Sequence, residues 1–416
     1  MNERSRGLAL RGVVVVLTLL AVAKLGDEFA RLVWRSGATA AIDLKLRHAE
    51  VQGWFNGVAV YRTMAAPTYP PASYALLWPF LGWMSLPAAR WFWAATTVVA
   101  LVAMTWLVVR ESGATGAWER VLAALLLLAM NQTGVVVGNG QLTFQALAPL
   151  VAGLLLIHRA SGTWREDLVA SACLTFAMVK VTLSAPFLWL VVFAPWPGSA
   201  NGRWPWRLRP ALLVAVVYVA LTVFAASFQD ASLATQLREW LAVTRTVSDK
   251  GGDYANASGW LTAAGLGRLT PIASVGMFVA LGVWLYRHRR VDLWLQLGVI
   301  AVVARLWAYH RLYDDVLVVL ALVALFRIAT GVDGPRDVPK AEPGRAAGGQ
   351  AAAVALIATC MVFMLLPARL GAAPPPWSWI FDVSHAASWL GMLVFLGWWA
   401  RVSNANLGGV RIEIRE

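Results

Sequence analysis

Charge is scarce in this chain. Of its 416 residues only 14% are Asp, Glu, Lys or Arg, against about a quarter in a soluble domain. Acidic residues are the scarcer sign, 22 against 35 basic. Cysteine is nearly absent: Cys173 and Cys360 both lie inside apolar runs. Their placement excludes a disulfide framework or a cysteine-built metal site and fits buried, inert thiols. No internal repeat of the kind that marks many transporters is present.

What fills the chain instead is apolar surface. Hydrophobic residues make up 59% of it, more than one soluble core of this length can hide. Lipid must cover the remainder, and lipid admits only helices or closed barrels. The apolar runs are long and continuous rather than alternating, so helices are expected. The net charge of +13 would suggest nucleic acid in a soluble protein. In a membrane protein it follows from Lys and Arg in cytoplasmic loops, and no nucleic-acid partner is expected.

Arg4 and Arg6 precede an apolar run from Gly12 to Ala23, which Lys24-Leu25-Gly26-Asp27 interrupts without a small-residue cleavage site. A first membrane span is expected there rather than a cleaved signal. Further spans of about 20 apolar residues are read near 88–109, 119–137, 142–158, 210–228, 271–286, 291–307, 312–327, 351–369 and 384–400, after a first near 8–26. Residues 72–86 are short and broken by Pro79, and fit a partial insertion. Residues 168–194 are too long for one span and too short for two, and fit a hairpin with Lys180 at its tip. With the N-terminus in the cytoplasm, 20 of the 35 basic residues fall in inner segments and 12 in outer ones, as the positive-inside rule requires.

The expected architecture is therefore an all-α polytopic membrane protein, a multi-helix bundle of about 10–12 transmembrane segments with helices in its outer loops. Residues 1–416 form one transmembrane domain, with outer loops at 27–72 and 229–270 and a Pro-, Gly- and Ala-rich cytoplasmic linker at 333–349. Loops of that length tend to be functional. The first carries Trp34, Trp54, Phe55, Tyr61 and Tyr69, an amphipathic mixture suited to the membrane interface.

Four groups of residues carry candidate chemistry. Asp43, with Lys45, Arg47 and His48, opens the first outer loop. A carboxylate there accepts a proton from a hydroxyl and the cations hold a phosphate, or the run is a solvated loop with ordinary ion pairs. Tyr61 precedes Tyr69-Pro70-Pro71, whose prolines hold the chain extended as it enters the membrane. Asn139-Gly140-Gln141 lies between two spans, either as a plain glycine turn or as amides that bind sugar hydroxyls. The last group is scattered: Lys180 within an apolar run, Asn256 in the second loop, and His310-Arg311-Leu312-Tyr313-Asp314-Asp315. An ammonium at the depth of Lys180 demands an anion or water, and a lipid phosphate would supply one. His310 and Asp314 share a helix face, but two ligands are too few for a metal. All four groups map to the outer side.

In that order, the early Asp, the Tyr-Pro-Pro, the Asn-Gly-Gln and the hairpin Lys resemble glycosyltransferase family 87 over roughly residues 10–330. That family includes actinobacterial mannosyltransferases of phosphatidylinositol mannosides and related arabinofuranosyltransferases. The resemblance implies the GT-C fold, a site at the outer face of the bacterial inner membrane, and a polyprenyl-phosphate sugar as donor. It matches Asp43 to a general base and Lys180 to a lysine beside the donor phosphate. Asn139, Gln141 and His310 match site-lining residues, and Lys45, Arg47, Tyr61, Tyr69, Asn256 and Asp314 join them as substrate-binding candidates. The implied partners are that donor, a lipid or glycan acceptor and membrane lipids; the leaving phosphodiester already carries charge, so no metal or other cofactor is expected. A polytopic transporter or lipid flippase is the alternative, and it calls for helices broken near the midplane.

Overall fold

The computed structural model describes residues 3–159, 161–194, 207–250, 256–332 and 343–409. Its regular structure is helical throughout. In chain order the helices are α1 (Glu3–Val33), α2 (Ile42–Phe55), α3 (Val60–Thr63), α4 (Pro71–Leu81), α5 (Leu86–Glu111), α6 (Ala117–Leu128) and α7 (Asn131–Asn139). Next come α8 (Thr143–Arg159), α9 (Trp164–Ala177), α10 (Val181–Ser184), α11 (Leu188–Val192), α12 (Arg209–Ala226), α13 (Leu233–Lys250) and α14 (Ala257–Ala263). The rest are α15 (Thr270–Arg287), α16 (Leu293–Leu306), α17 (Val318–Ala329), α18 (Pro343–Met364) and α19 (Trp377–Gly409).

Seven helical runs among the described residues are long and apolar enough to cross a membrane, or eight if α6 and α7 are joined as one bent span. That is fewer than the ten to twelve spans expected. The shortfall lies in α8, α16 and α17, with 17, 14 and 12 residues. At 1.5 Å per residue, a 14-residue helix rises roughly 21 Å, short of a hydrocarbon core of about 30 Å. α17 is directly preceded by a 3₁₀ stretch, Leu312–Leu317, that carries Asp314, and His310 lies just before it.

Four local expectations change. Lys24 and Asp27 do not end the first helix, which runs on to Val33. Lys24 bonds Asn131, and Arg90 caps the helix end through the carbonyls of Arg31, Leu32 and Arg35. The span expected over 119–137 is broken, with a 52° bend between α6 and α7. Residues 72–86 hold the helix α4, with Pro71 in its first turn. Residues 343–349, assigned to the linker, open α18, while 333–342 lie outside the described residues.

Trp164–Val192 is one unbroken helical run by length, but its ends meet. Leu190 O lies 3.2 Å from His158 Nε2 at the end of α8. The backbone amide of Arg207 donates to Ala194, while its side chain reaches Asp167 and Ile157 O. The run thus climbs through α9, turns in 3₁₀ geometry at Met178–Lys180 and returns through α11. Lys180 stands at the tip, as the sequence suggested.

Ion pairs tie the basic end of the bundle, opposite that tip. Buried Glu111 takes both guanidinium nitrogens of Arg159 and the indole N–H of Trp294, and its carbonyl accepts from Arg327. Arginines in the last turns satisfy helix-end carbonyls and suit the helix dipole.

Candidate active site

The end of the bundle that holds Lys180 is assembled around α2. Ala41, just before it, has φ 48° and is fully buried, and its N–H donates to Gly138 O at 3.1 Å. A left-handed alanine costs about 1 kcal/mol, and here it sets the register of Asp43, in the first turn of α2. Gly138 ends α7 together with Asn139-Gly140-Gln141. Gly140 has φ 68°, its N–H bonds Val137 O, and the N–H of Gln141 bonds Val136 O. These two bonds are a Schellman cap, which requires glycine at the left-handed position. The cap carries Gln141 onto Asp43, to which it hydrogen-bonds. Asn139 accepts from Arg31 at 2.6 Å and so anchors the turn to α1.

Opposite Asp43, Lys180 is 7% exposed. Its ammonium bonds Asp314, donates to Thr143 Oγ1 at 3.1 Å and lies 4.9 Å over the ring of Tyr313. An anion for this lysine is therefore supplied by the protein itself, in Asp314. Asp314 is shared further: His310 Nδ1 lies 3.0 Å from its other oxygen, and the Arg311 amide points at the same atom. A carboxylate only accepts, so Nδ1 carries the hydrogen. Burial pushes the His310 pKa down, which keeps the ring neutral and leaves Nε2 an acceptor. That nitrogen is buried without a hydrogen-bond partner among the described residues.

The wall between these groups is aromatic. Arg47 stacks 4.5 Å over Tyr69 and pairs with Glu50 at 2.5 Å. Tyr61 donates to Tyr69 O at 2.8 Å and packs edge-on against Trp54, which stacks on Tyr74. Trp54, expected at the membrane interface, is instead a core residue, 1% exposed, with its indole N–H on Ala225 O. Trp240 of α13 donates to Thr68 O at 2.9 Å and clamps the loop before Tyr69 from above.

Burial raises the Asp43 carboxyl above its ordinary range, against the opposing pull of Gln141, Arg47, Lys180 and Arg311. Three cations thus act on this carboxylate from three elements, which places Asp43 and Lys180 in one neighbourhood at one end of the bundle.

The structure therefore brings together Asp43, Arg47, Tyr69, Gln141, Lys180, His310 and Asp314, with Tyr61 and Asn139 bracing them. Two expected site residues are used elsewhere. Lys45 donates to Gly37 O at 2.7 Å, because two helix positions after Asp43 it leaves on another face. Asn256 is the N-cap of α14, accepting from Gly259 N at 2.7 Å. Sequence reasoning passed over Glu50, Tyr74 and Thr143, and named Arg311 and Tyr313 only as part of the run from His310 to Asp315. Glu50 was within reach, since it falls seven residues after Asp43 on a helix and so shares its face.

The family model described as glycosyltransferase family 87 matches residues 68–331. No curated protein and no solved structure matches the chain. The match ends where the resemblance did but opens at residue 68 rather than near residue 10, so α2 with Asp43 precedes it. It takes in Tyr69, Gln141, Lys180, His310 and Asp314, the groups that geometry gathers around that carboxylate. More than half of the chain is covered, and this membrane protein of bundled helices belongs to glycosyltransferase family 87.

Proposed function

We propose that the protein moves a hexosyl residue, mannosyl by preference, or a pentosyl residue from a polyprenyl-phosphate sugar to a lipid or glycan acceptor, with inversion, at the outer face of a bacterial cell membrane. The observation that carries this reading is the convergence of a half-buried carboxylate, Asp43, with the cations Arg47, Lys180 and Arg311 at one end of the helical bundle. Such a set of cations suits a lipid phosphate.

Asp43 accepts the proton of the acceptor hydroxyl as its oxygen bonds to the anomeric carbon. The bond from that carbon to the phosphate oxygen breaks, and its electrons leave with the lipid phosphate from the opposite face. Raised by burial, the Asp43 carboxylate is a stronger base than a solvated one, in keeping with the typical contribution of about 10²–10⁴-fold from general-base catalysis. Charge on the departing phosphate is met by Arg311 and by Lys180, whose own charge Asp314 partly offsets. Acceptor-only His310 Nε2 suits a sugar hydroxyl rather than a phosphate oxygen, and Gln141 holds Asp43 in place.

The test is incubation of the purified protein in lipid with radiolabelled polyprenyl-phosphate mannose and candidate acceptors, beside nucleotide-activated mannose. Transfer from the lipid donor alone is expected. Transfer from the nucleotide sugar alone would overturn the donor assignment.

A further inference from the structure

Glu50 is a buried acidic side chain of α2 that the mechanism above leaves without a task. It is 1% exposed. Asp43, Arg47 and Glu50 are spaced by four and three residues on α2 and form one ladder. Arg47, in the middle, pairs with Glu50 at 2.5 Å while its guanidinium lies on Tyr69. From α4, the Tyr74 hydroxyl donates to Glu50 Oε2 at 3.3 Å. The other oxygen, Oε1, is buried without a hydrogen-bond partner among the described residues. Arg47 thus stands between two carboxylates of α2, ion-paired with Glu50 and one helical turn from Asp43.

We propose that Glu50 is a positioning residue for sugar transfer: it holds Arg47 against Tyr69 and draws off part of its charge, and so keeps Asp43 a competent base.

This inference rests on the role of Asp43 given above. The groups facing Glu50 are Arg47 and Asp43 on its own helix, Tyr74 on α4, and Tyr61 and Tyr69 from the α3 segment. Burial lifts the Glu50 carboxyl to about 7, with Arg47 and Tyr74 opposing and Asp43 adding. The groups facing Asp43 are Gln141, Arg47, Lys180 and Arg311, with Tyr69 and Tyr313. When Glu50 is neutral, the full charge of Arg47 falls on Asp43, one helical turn away. The carboxylate is then stabilised and becomes a weaker base.

The experiment compares pH profiles of transfer for the wild type, Glu50→Gln, Glu50→Asp and Asp43→Asn, each reconstituted in lipid. Glu50→Gln keeps the shape and removes the charge. Above about pH 7, where wild-type Glu50 is ionised, the kcat of this variant is expected to fall several-fold at unchanged donor KM, and toward about pH 5, where wild-type Glu50 is itself neutral, the two profiles should converge. Glu50→Asp keeps an ionisable charge, so its profile should keep the wild-type rise through this range even if kcat falls. A Glu50→Gln profile that runs parallel to the wild type over the whole range, or an equal loss of the rise in Glu50→Asp, overturns the inference while the base role stands. Should Glu50→Gln not fold, Tyr74→Phe replaces it: loss of its hydrogen bond to Glu50 should move the rise to higher pH, and an unmoved rise overturns the inference. Wild-type transfer by Asp43→Asn overturns both readings together.

Discussion

Replacement of Lys180 by Met removes a charge from a place where water does not compensate. The side chains of Lys180 and Asp314 are 8% and 4% exposed. For unit charges about 4 Å apart at an effective dielectric of about 20, Coulomb's law gives about 4 kcal/mol. That agrees with the roughly 3–5 kcal/mol lost when one partner of a buried pair is removed. Asp314→Asn strands the ammonium and should cost a similar amount, since its single amide oxygen can still accept from only one of Thr143 and His310, which bond different carboxylate oxygens. In Lys180→Met/Asp314→Asn neither charge remains, so the double variant should recover at least half of the summed losses. The assay is chemical or thermal unfolding in detergent followed by tryptophan fluorescence, with all four proteins in one micelle. Single variants that each cost under about 1 kcal/mol, or losses that simply add, would refute a coupled buried pair. Transfer activity should be lost in the double variant although stability returns, which separates the fold of the site from its chemistry.

Other perturbations address the remaining parts. Gly140→Ala puts a Cβ 2.7 Å from that of Leu44 and forces a left-handed alanine, so a loss of about 2–3 kcal/mol and of most activity is expected, whereas Gly276→Ala, with open space around it, should be neutral in the same melt. Ala41→Gly relieves its left-handed backbone and should stabilise or leave stability within about 1 kcal/mol, read as an unfolding midpoint no lower than the wild type. Arg311→Ala should raise the donor KM several-fold and leave the acceptor KM unchanged, as steady-state kinetics with each substrate varied would show. Because the Asp43 carboxyl is raised and must be ionised to accept a proton, activity should rise with pH through an acid limb above the range of a solvated Asp; a limb at or below that range would contradict its burial.

Much of this site was legible because the chemistry is costly where it stands. Lys180 in an apolar run needed a reason, and the reason is a place at the tip of a doubled-back segment. Asn139-Gly140-Gln141 carried its cap in its composition, since only glycine takes the left-handed position cheaply. The pairing of Lys180 with Asp314 was not legible: they stand 134 residues apart and meet only through the packing of α8 with α9 and of α16 with α17. Lys45 and Asn256 misled because polarity alone does not say which way a side chain leaves its helix.

The most direct measurement is sugar transfer by wild type and Asp43→Asn in liposomes containing a labelled polyprenyl-phosphate sugar, with folding of both verified by matching unfolding midpoints. Label should pass to the acceptor with the wild type and stay on the donor lipid with Asp43→Asn. Equal transfer by the two proteins would contradict the assignment of Asp43 as the base.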